Sequence, residues 1–418
     1  MPEYAPLMMR PAILAALVLV VFAASARADQ PTTFPRPFVG LWITRYDFRT
    51  AEDVRRCIAL AASIGGENGA VTDIFWQVRG QGDAFYKSEL EPWGRELLVG
   101  LPEGRSEPAF DPLTTAIHEA HARKLKLHAW VNIMPLWKGK AAPIAPTHAY
   151  NAHPEWRLKD TAGTPQPLND HYVIVNPLLP AVHDHIVAVC KDLVSRYPID
   201  GLHMDYVRFV SDSMSDPAAY PRDTESLLMW EQFTGRPWQA TADDKAALRT
   251  LTRDRITVLV NRIKREIVSG RPGAVLTAAV WRRPDLGRET YLQDAARWLT
   301  EGTLDRACPM IYTIDDQRFQ DDLSSWVAAA PGKAISPGLG IYLHQPAQSG
   351  PQLEIAEALK SDGFALFAYA ALFESVDPNQ DKSAARVAER ADRLKGVSAE
   401  LSRRPTGSKP AAPASQAP

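Results

Sequence analysis

Asp205 lies in the stretch "GLHMDYVRF" (201–209), an apolar run too short for a helix and followed by a polar, proline-containing segment. On a strand, His203, Asp205 and Val207 share one face. An ionised carboxylate on a buried face is costly unless it is paired or stands at a strand end. Asp205 is therefore either a satisfied structural group or a carboxylate placed for chemistry. The run "LKLHAWVNI" (125–133) repeats the pattern, with His128, Trp130 and Asn132 alternating onto one face. Other apolar runs also end in polar and aromatic residues. They supply Trp42, Arg45, Tyr46 and Asp47, then Gln77, Arg79 and Asp83, then Trp281, then Tyr312 with Asp315 and Asp316 just beyond. Tyr342, His344, Tyr369, Tyr206, Arg208 and Glu374 hold comparable places. Singly, His128 or His203 is more often a satisfied core histidine, and Trp42 or Trp130 packing. Their concentration at the ends of several runs points to a site. Indoles stack on the C–H faces of sugar rings, and hydroxyls need a dense polar surround, so the chemistry expected is that of carbohydrate.

Eight strand-like runs must position these residues: 38–44, 73–80, 125–133, 199–207, 274–281, 305–312, 334–342 and 363–370. Helical periodicity separates most of them, as in "TAEDVRRCIALAASI", "PLTTAIHEAHARK" and "PAVHDHIVAVCKDLVSRY". Thr50 and Asp111-Pro112 supply helix-start signals. The fold class expected is α/β, a (β/α)8 TIM-type barrel with long βα loops over residues 35–395. A doubly wound open sheet is the alternative, but "WITRYDFRT" after the first run is not a glycine-rich phosphate turn. In a barrel, functional residues gather at the C-terminal strand ends.

The blocks "GLWITRYD", "FWQVRGQGDAFYKSELEPWG", "AFDPLTTAIHEAHARKLKLHAWVN", "HPEWRLKD", "YPIDGLHMDYVRF" and "CPMIY" occur in order from about Pro37 to Phe373. Together they resemble the glycosyl-hydrolase-like 10 family of exported bacterial (β/α)8 barrels. The resemblance implies glycoside hydrolysis, which usually needs two carboxyl groups. Asp205 is the fourth-strand carboxylate. Related sugar-cleaving barrels place an acid after the sixth strand, which by analogy points to Asp315 or Asp316; Asp83 and Glu374 are reserves. Arg79, His128, Asn132 and His203 would bind hydroxyls or tune the carboxyl groups. Trp42, Trp130, Trp281 and Tyr312 would be stacking platforms, and Arg45, Gln77, Tyr206, Arg208, Tyr342 and Tyr369 complete the expected substrate site. Two departures stand out: Asp205-Tyr206 occupies a place where the family often has two acidic residues, and Lys191-Asp192 a place where it commonly has Glu.

The 418 residues are 45% hydrophobic and 23% charged, with a formal net charge of −2, which gives no reason to expect nucleic acid. Arg10, the apolar run after it and "ASARA" predict a cleaved signal peptide over residues 1–28, hence a periplasmic or secreted protein without stable membrane insertion. The Pro/Ala/Ser-rich end, 396–418, is expected to be a disordered tail. Cys57, Cys190 and Cys308 are expected to be buried thiols, and His118 and His121 to lie on a solvated helix face rather than to bind zinc. No cofactor and no metal is expected. Two function classes remain: an exported glycosidase acting on a bacterial glycan, for which cell-wall glycan is the candidate by compartment, and a non-catalytic glycan-binding barrel.

Overall fold

The computed structural model describes residues 38–66, 69–209, 219–345 and 348–404. The predicted signal peptide and the chain beyond Arg404 lie outside these residues.

Among the described residues ten strands form, in chain order: β1 Val39–Ile43, β2 Asp73–Arg79, β3 Lys126–Asn132, β4 Pro135–Lys138, β5 Tyr172–Ile174, β6 Gly201–Asp205, β7 Val275–Val280, β8 Arg306–Ile311, β9 Gly338–Leu339 and β10 Phe364–Leu366. Eight of them close a barrel in the order β1-β2-β3-β6-β7-β8-β9-β10, with every pairing parallel. This is the expected (β/α)8 barrel. The helices between strands start where side chains can satisfy free backbone N–H groups. Thr50 and Asp53 form a reciprocal capping box on the helix Ala51–Ser63, and Asp111 caps Pro112–Ala122. The pair β4 and β5 was not foreseen. It is a separate two-stranded antiparallel sheet whose first strand follows β3 in the chain.

Strand alternation divides the core in two. Outward residues such as Leu41, Ile74, Val131 and Met204 pack under the helices. Inward residues Trp42, Phe75, Trp130, Ala279, Cys308 and Ala365 fill the lumen. Two histidines share that lumen, each held by bonds. His203 Nε2 accepts from Trp42 Nε1 at 3.0 Å, and its Nδ1 lies 2.8 Å from Thr277 Oγ1. Phe75 stacks on its ring at 3.9 Å. Burial pushes the His203 pKa well below its usual value, so the ring is neutral. His128 Nε2 lies 2.7 Å from Asp73 Oδ1. Gly201 makes room for this ring, because a Cβ there would overlap His128 Nδ1. The three cysteines are free and buried.

Two expectations shift. The seventh run is a strand only at Gly338–Leu339, where Pro337 and two glycines limit the ladder, and Tyr342 falls in a 3-10 turn. The last helix, Ala384–Ser402, carries order past the boundary placed at 395, burying Val397 and Leu401. The tail set at 396 therefore begins too early. His121 pairs with Asp200 at 2.8 Å on the helix surface, while His118 is exposed.

Candidate active site

The C-terminal strand ends surround an open cavity of about 240 Å³. Trp42, Trp130 and Phe367 give it aromatic walls, while Gln77, Asn132, Arg45, Tyr46, Asp205, Tyr206, Arg208 and Tyr312 supply polar groups. Asp205 is the last residue of β6, and the chain turns at once: Tyr206 has φ +48°, a left-handed conformation costly for a residue with a side chain. Among the described residues both hydrogen bonds that the Asp205 carboxylate accepts fall on Oδ1, from Tyr206 N at 2.6 Å and from Arg208 Nη1 at 3.1 Å. Oδ2 has no protein donor among the described residues and is not among the sealed unbonded atoms, so it remains open to the cavity. Burial raises the Asp205 pKa, and Arg208 opposes part of that rise. Arg208 in turn lies over the Tyr206 ring at 4.2 Å.

Asn132 is committed to the scaffold. Its Nδ2 donates to Gly80 O and its Oδ1 accepts from Trp130 Nε1, both at 2.9 Å. Gln77 Oε1 accepts from Arg45 N at 3.0 Å, which leaves its amide N–H groups for a ligand. Thus Trp42, Arg45, Gln77, Trp130, Asn132, Asp205, Tyr206, Arg208 and Tyr312, named from sequence, converge on one cavity.

Others named with them stand elsewhere. His128 and His203 lie in the lumen and do not line the cavity. A register shift between Gln77 and Arg79 turns Arg79 outward. There it pairs with buried Glu91 at 2.7 Å and donates to the carbonyls of Asn132, Ile133 and Pro135. Asp83 folds its own turn, accepting from Gly80 N and Gln81 N. Tyr369 is buried beside Cys57, and Glu374 is exposed next to Lys382. Trp281 stacks on Tyr291 at 3.7 Å behind Arg208, and Tyr342 stands 47% exposed, edge-on to Tyr312.

Asp315 and Asp316 do not line the cavity. Asp315 is the N-cap of the helix Asp316–Ala329 and accepts from Arg318 N at 3.0 Å, and Asp316 is the first residue of that helix. Capping accounts for an Asp at 315 without chemistry. Asp315→Ala is therefore expected to cost about 0.5–2 kcal/mol of stability while turnover per folded molecule stays unchanged. Denaturant titration beside specific activity checks this, and a folded variant without turnover would restore Asp315 as the partner of Asp205.

The profile described as glycosyl hydrolase-like 10 matches residues 37–358. The chain belongs to the glycosyl hydrolase-like 10 family. Among relatives of similar sequence, glycosyl hydrolase DigH of Escherichia coli K12 is 27% identical over 355 residues, covering 72% of this chain and 75% of DigH. Glycosyl hydrolase YngK of Bacillus subtilis is 28% identical over 257 residues, 56% of this chain and 45% of YngK. The fold is shared with the PgaB (BpsB) glycoside hydrolase domain of Bordetella bronchiseptica at a TM-score of 0.61 and 13% identity, over 89% of this chain and all (100%) of that domain. Alpha-L-fucosidase isoenzyme 2 of Paenibacillus thiaminolyticus aligns at a TM-score of 0.54 and 14% identity, over 88% of this chain and 49% of the fucosidase. This family member is a glycosyl hydrolase-like barrel. Sequence reasoning missed Thr44, Tyr172, Ala279, Met310 and Phe367 among its cavity walls. Met310 and Phe367 could have been found by extending the alternation from Cys308 and Ala365.

Proposed function

We propose that this protein is an exported glycoside hydrolase that cleaves glycosidic bonds in a bacterial glycan, with the glycan strands of cell-wall peptidoglycan as the substrate. The observation that carries the reading is Asp205, a carboxylate at the mouth of the barrel with Oδ1 anchored and Oδ2 open beside aromatic walls. Fixing one oxygen orients the other for attack on an anomeric carbon or for proton transfer. Trp42, Trp130 and Tyr312 stack on sugar faces, and Arg208 and Gln77 bind hydroxyls. The cavity is small for a whole ligand, which suits one sugar of a longer chain. Export rests on the leader-like start of the sequence.

One observation favours a second reading, a glycan-binding barrel: Asp205 is the one carboxylate among the described lining residues, and it is paired with Arg208. Incubation with purified peptidoglycan glycan strands separates the two. Release of new reducing ends is the expected result. Retention of the strands without release would sink the hydrolase in favour of the binder, and neither retention nor release would sink both.

A further inference from the structure

Several buried guanidinium groups in this barrel are paired with carboxylates. Arg79 meets Glu91 at 2.7 Å, Arg393 meets Glu389 at 2.5 Å, and Arg306 meets Asp362 at 2.8 Å. Such pairing is what the cost of burying a charge demands. Arg45, only 2% exposed, is different. Its Nη2 donates to the phenol oxygens of Tyr46 at 2.6 Å and Tyr172 at 3.2 Å, both uncharged groups. Its Nε is buried with no partner. Among the described residues Nη1 has no partner and is not sealed, and Arg45 lines the cavity. Beneath it the chain is Gly80, where a Cβ would stand 2.7 Å from the guanidinium carbon, so the backbone supports the group without a side chain. Asp83 and Glu96 act on Arg45 from beyond ion-pair distance, and Asp83 is engaged with the amides of its own turn.

We infer that Arg45 is a specificity residue that receives a sugar carboxylate, so that the glycan held in this cavity is an acidic one. The inference rests on the glycan reading of the same cavity. Among the described lining residues the charged side chains are Arg45, Arg208 and Asp205, two cations against one anion. A neutral sugar leaves the excess cation buried and unmatched; a carboxylate completes it with charge-assisted hydrogen bonds. Tyr46 adds a donor beside Nη2. Burial raises its pKa to about 12, so its O–H keeps the proton. Arg45 follows β1 and Asp205 ends β6, three strands round the barrel. The acid is thus recognised away from the carboxylate that faces the scissile bond, and the two anions need not meet.

Three ligands test this by titration calorimetry on the wild-type chain: an oligosaccharide of alternating N-acetylglucosamine and N-acetylmuramic acid with free lactyl carboxylates, the same compound as its methyl ester, and an N-acetylglucosamine oligomer of equal length. The free acid is expected to bind about 10- to 100-fold more tightly than the other two. Arg45→Gln is expected to abolish that preference, and Arg45→Lys to keep part of it. Equal binding of acid and ester overturns the inference while leaving the glycan reading intact. So does a folded Arg45→Gln protein that still prefers the acid. Binding of none of the three overturns the glycan reading itself. If Arg45→Gln does not fold, the comparison of acid and ester on the wild-type chain still decides.

Discussion

Asp205→Asn is expected to leave the barrel folded and to lower turnover by at least about 10²–10⁴-fold, the contribution of one positioned acid–base group. The amide keeps an oxygen for Tyr206 N and Arg208, the two donors to Oδ1. What it loses is the charge and the ability to attack or to carry a proton. Its effect on stability has the opposite sign to that of a typical core substitution. Burial raises the Asp205 pKa, so ionised Asp205 costs stability above its folded pKa, and that cost fades as pH falls. Asparagine removes the cost, and the melting temperature at neutral pH should hold or rise. Kinetics on glycan strands beside thermal melting checks both claims. A folded variant with wild-type turnover would refute the assignment, and an unfolded one would make Asp205 a structural group.

Glu91→Gln is expected to destabilise the protein by about 3–5 kcal/mol, the usual result of removing one partner of a buried ion pair. Arg79 would keep its charge without a counter-ion while still clamping the carbonyls at the end of β3. Burial alone would raise the Glu91 pKa, but the Arg79 charge and bonds from His185 and Arg79 hold it at about 2, below the ordinary 4.5. A depressed carboxyl contributes stability that is fully present above the ordinary value and is lost as pH falls through the folded one. Wild-type protein should therefore lose this contribution between pH 4.5 and about 2, and Glu91→Gln should not. Denaturant titrations of both proteins across that window measure it. A variant within about 1 kcal/mol of wild type at neutral pH, the range of a surface pair, would show that the pair adds no net stability.

The barrel was legible because alternation of period two in the strands and of period 3.6 in the helices both survive in the sequence. Asp205 and Trp130 were legible for the same reason, since counting along a strand gives the correct face, whereas Arg208 lies past the turn at Tyr206, where counting no longer applies. Counting failed at Arg79, where one register shift reverses the face. It could not separate His128 and His203 from cavity residues, because a polar group facing the lumen has the same parity at any depth. Only the bonds to Asp73, Trp42 and Thr277 show them to be core. Asp315 misled because a helix cap and a catalytic carboxylate both favour Asp at a strand-to-helix junction. Tyr172 left no signal. It reaches the cavity on β5 of the small antiparallel sheet, in a segment with little alternation of its own.

The brevity of β9 and β10, two and three residues, has a consequence for local stability. Between β2 and β3 the ladder extends over seven-residue strands, whereas the barrel closes through β9 on two matched pairs to each neighbour. Regions with few ladder bonds open at lower free-energy cost than regions with many. Phe367, one residue beyond β10, stands on the weak arc, and Asp205 follows the strong one. The cavity wall at Phe367 is therefore expected to open at lower free-energy cost than the wall that carries Asp205.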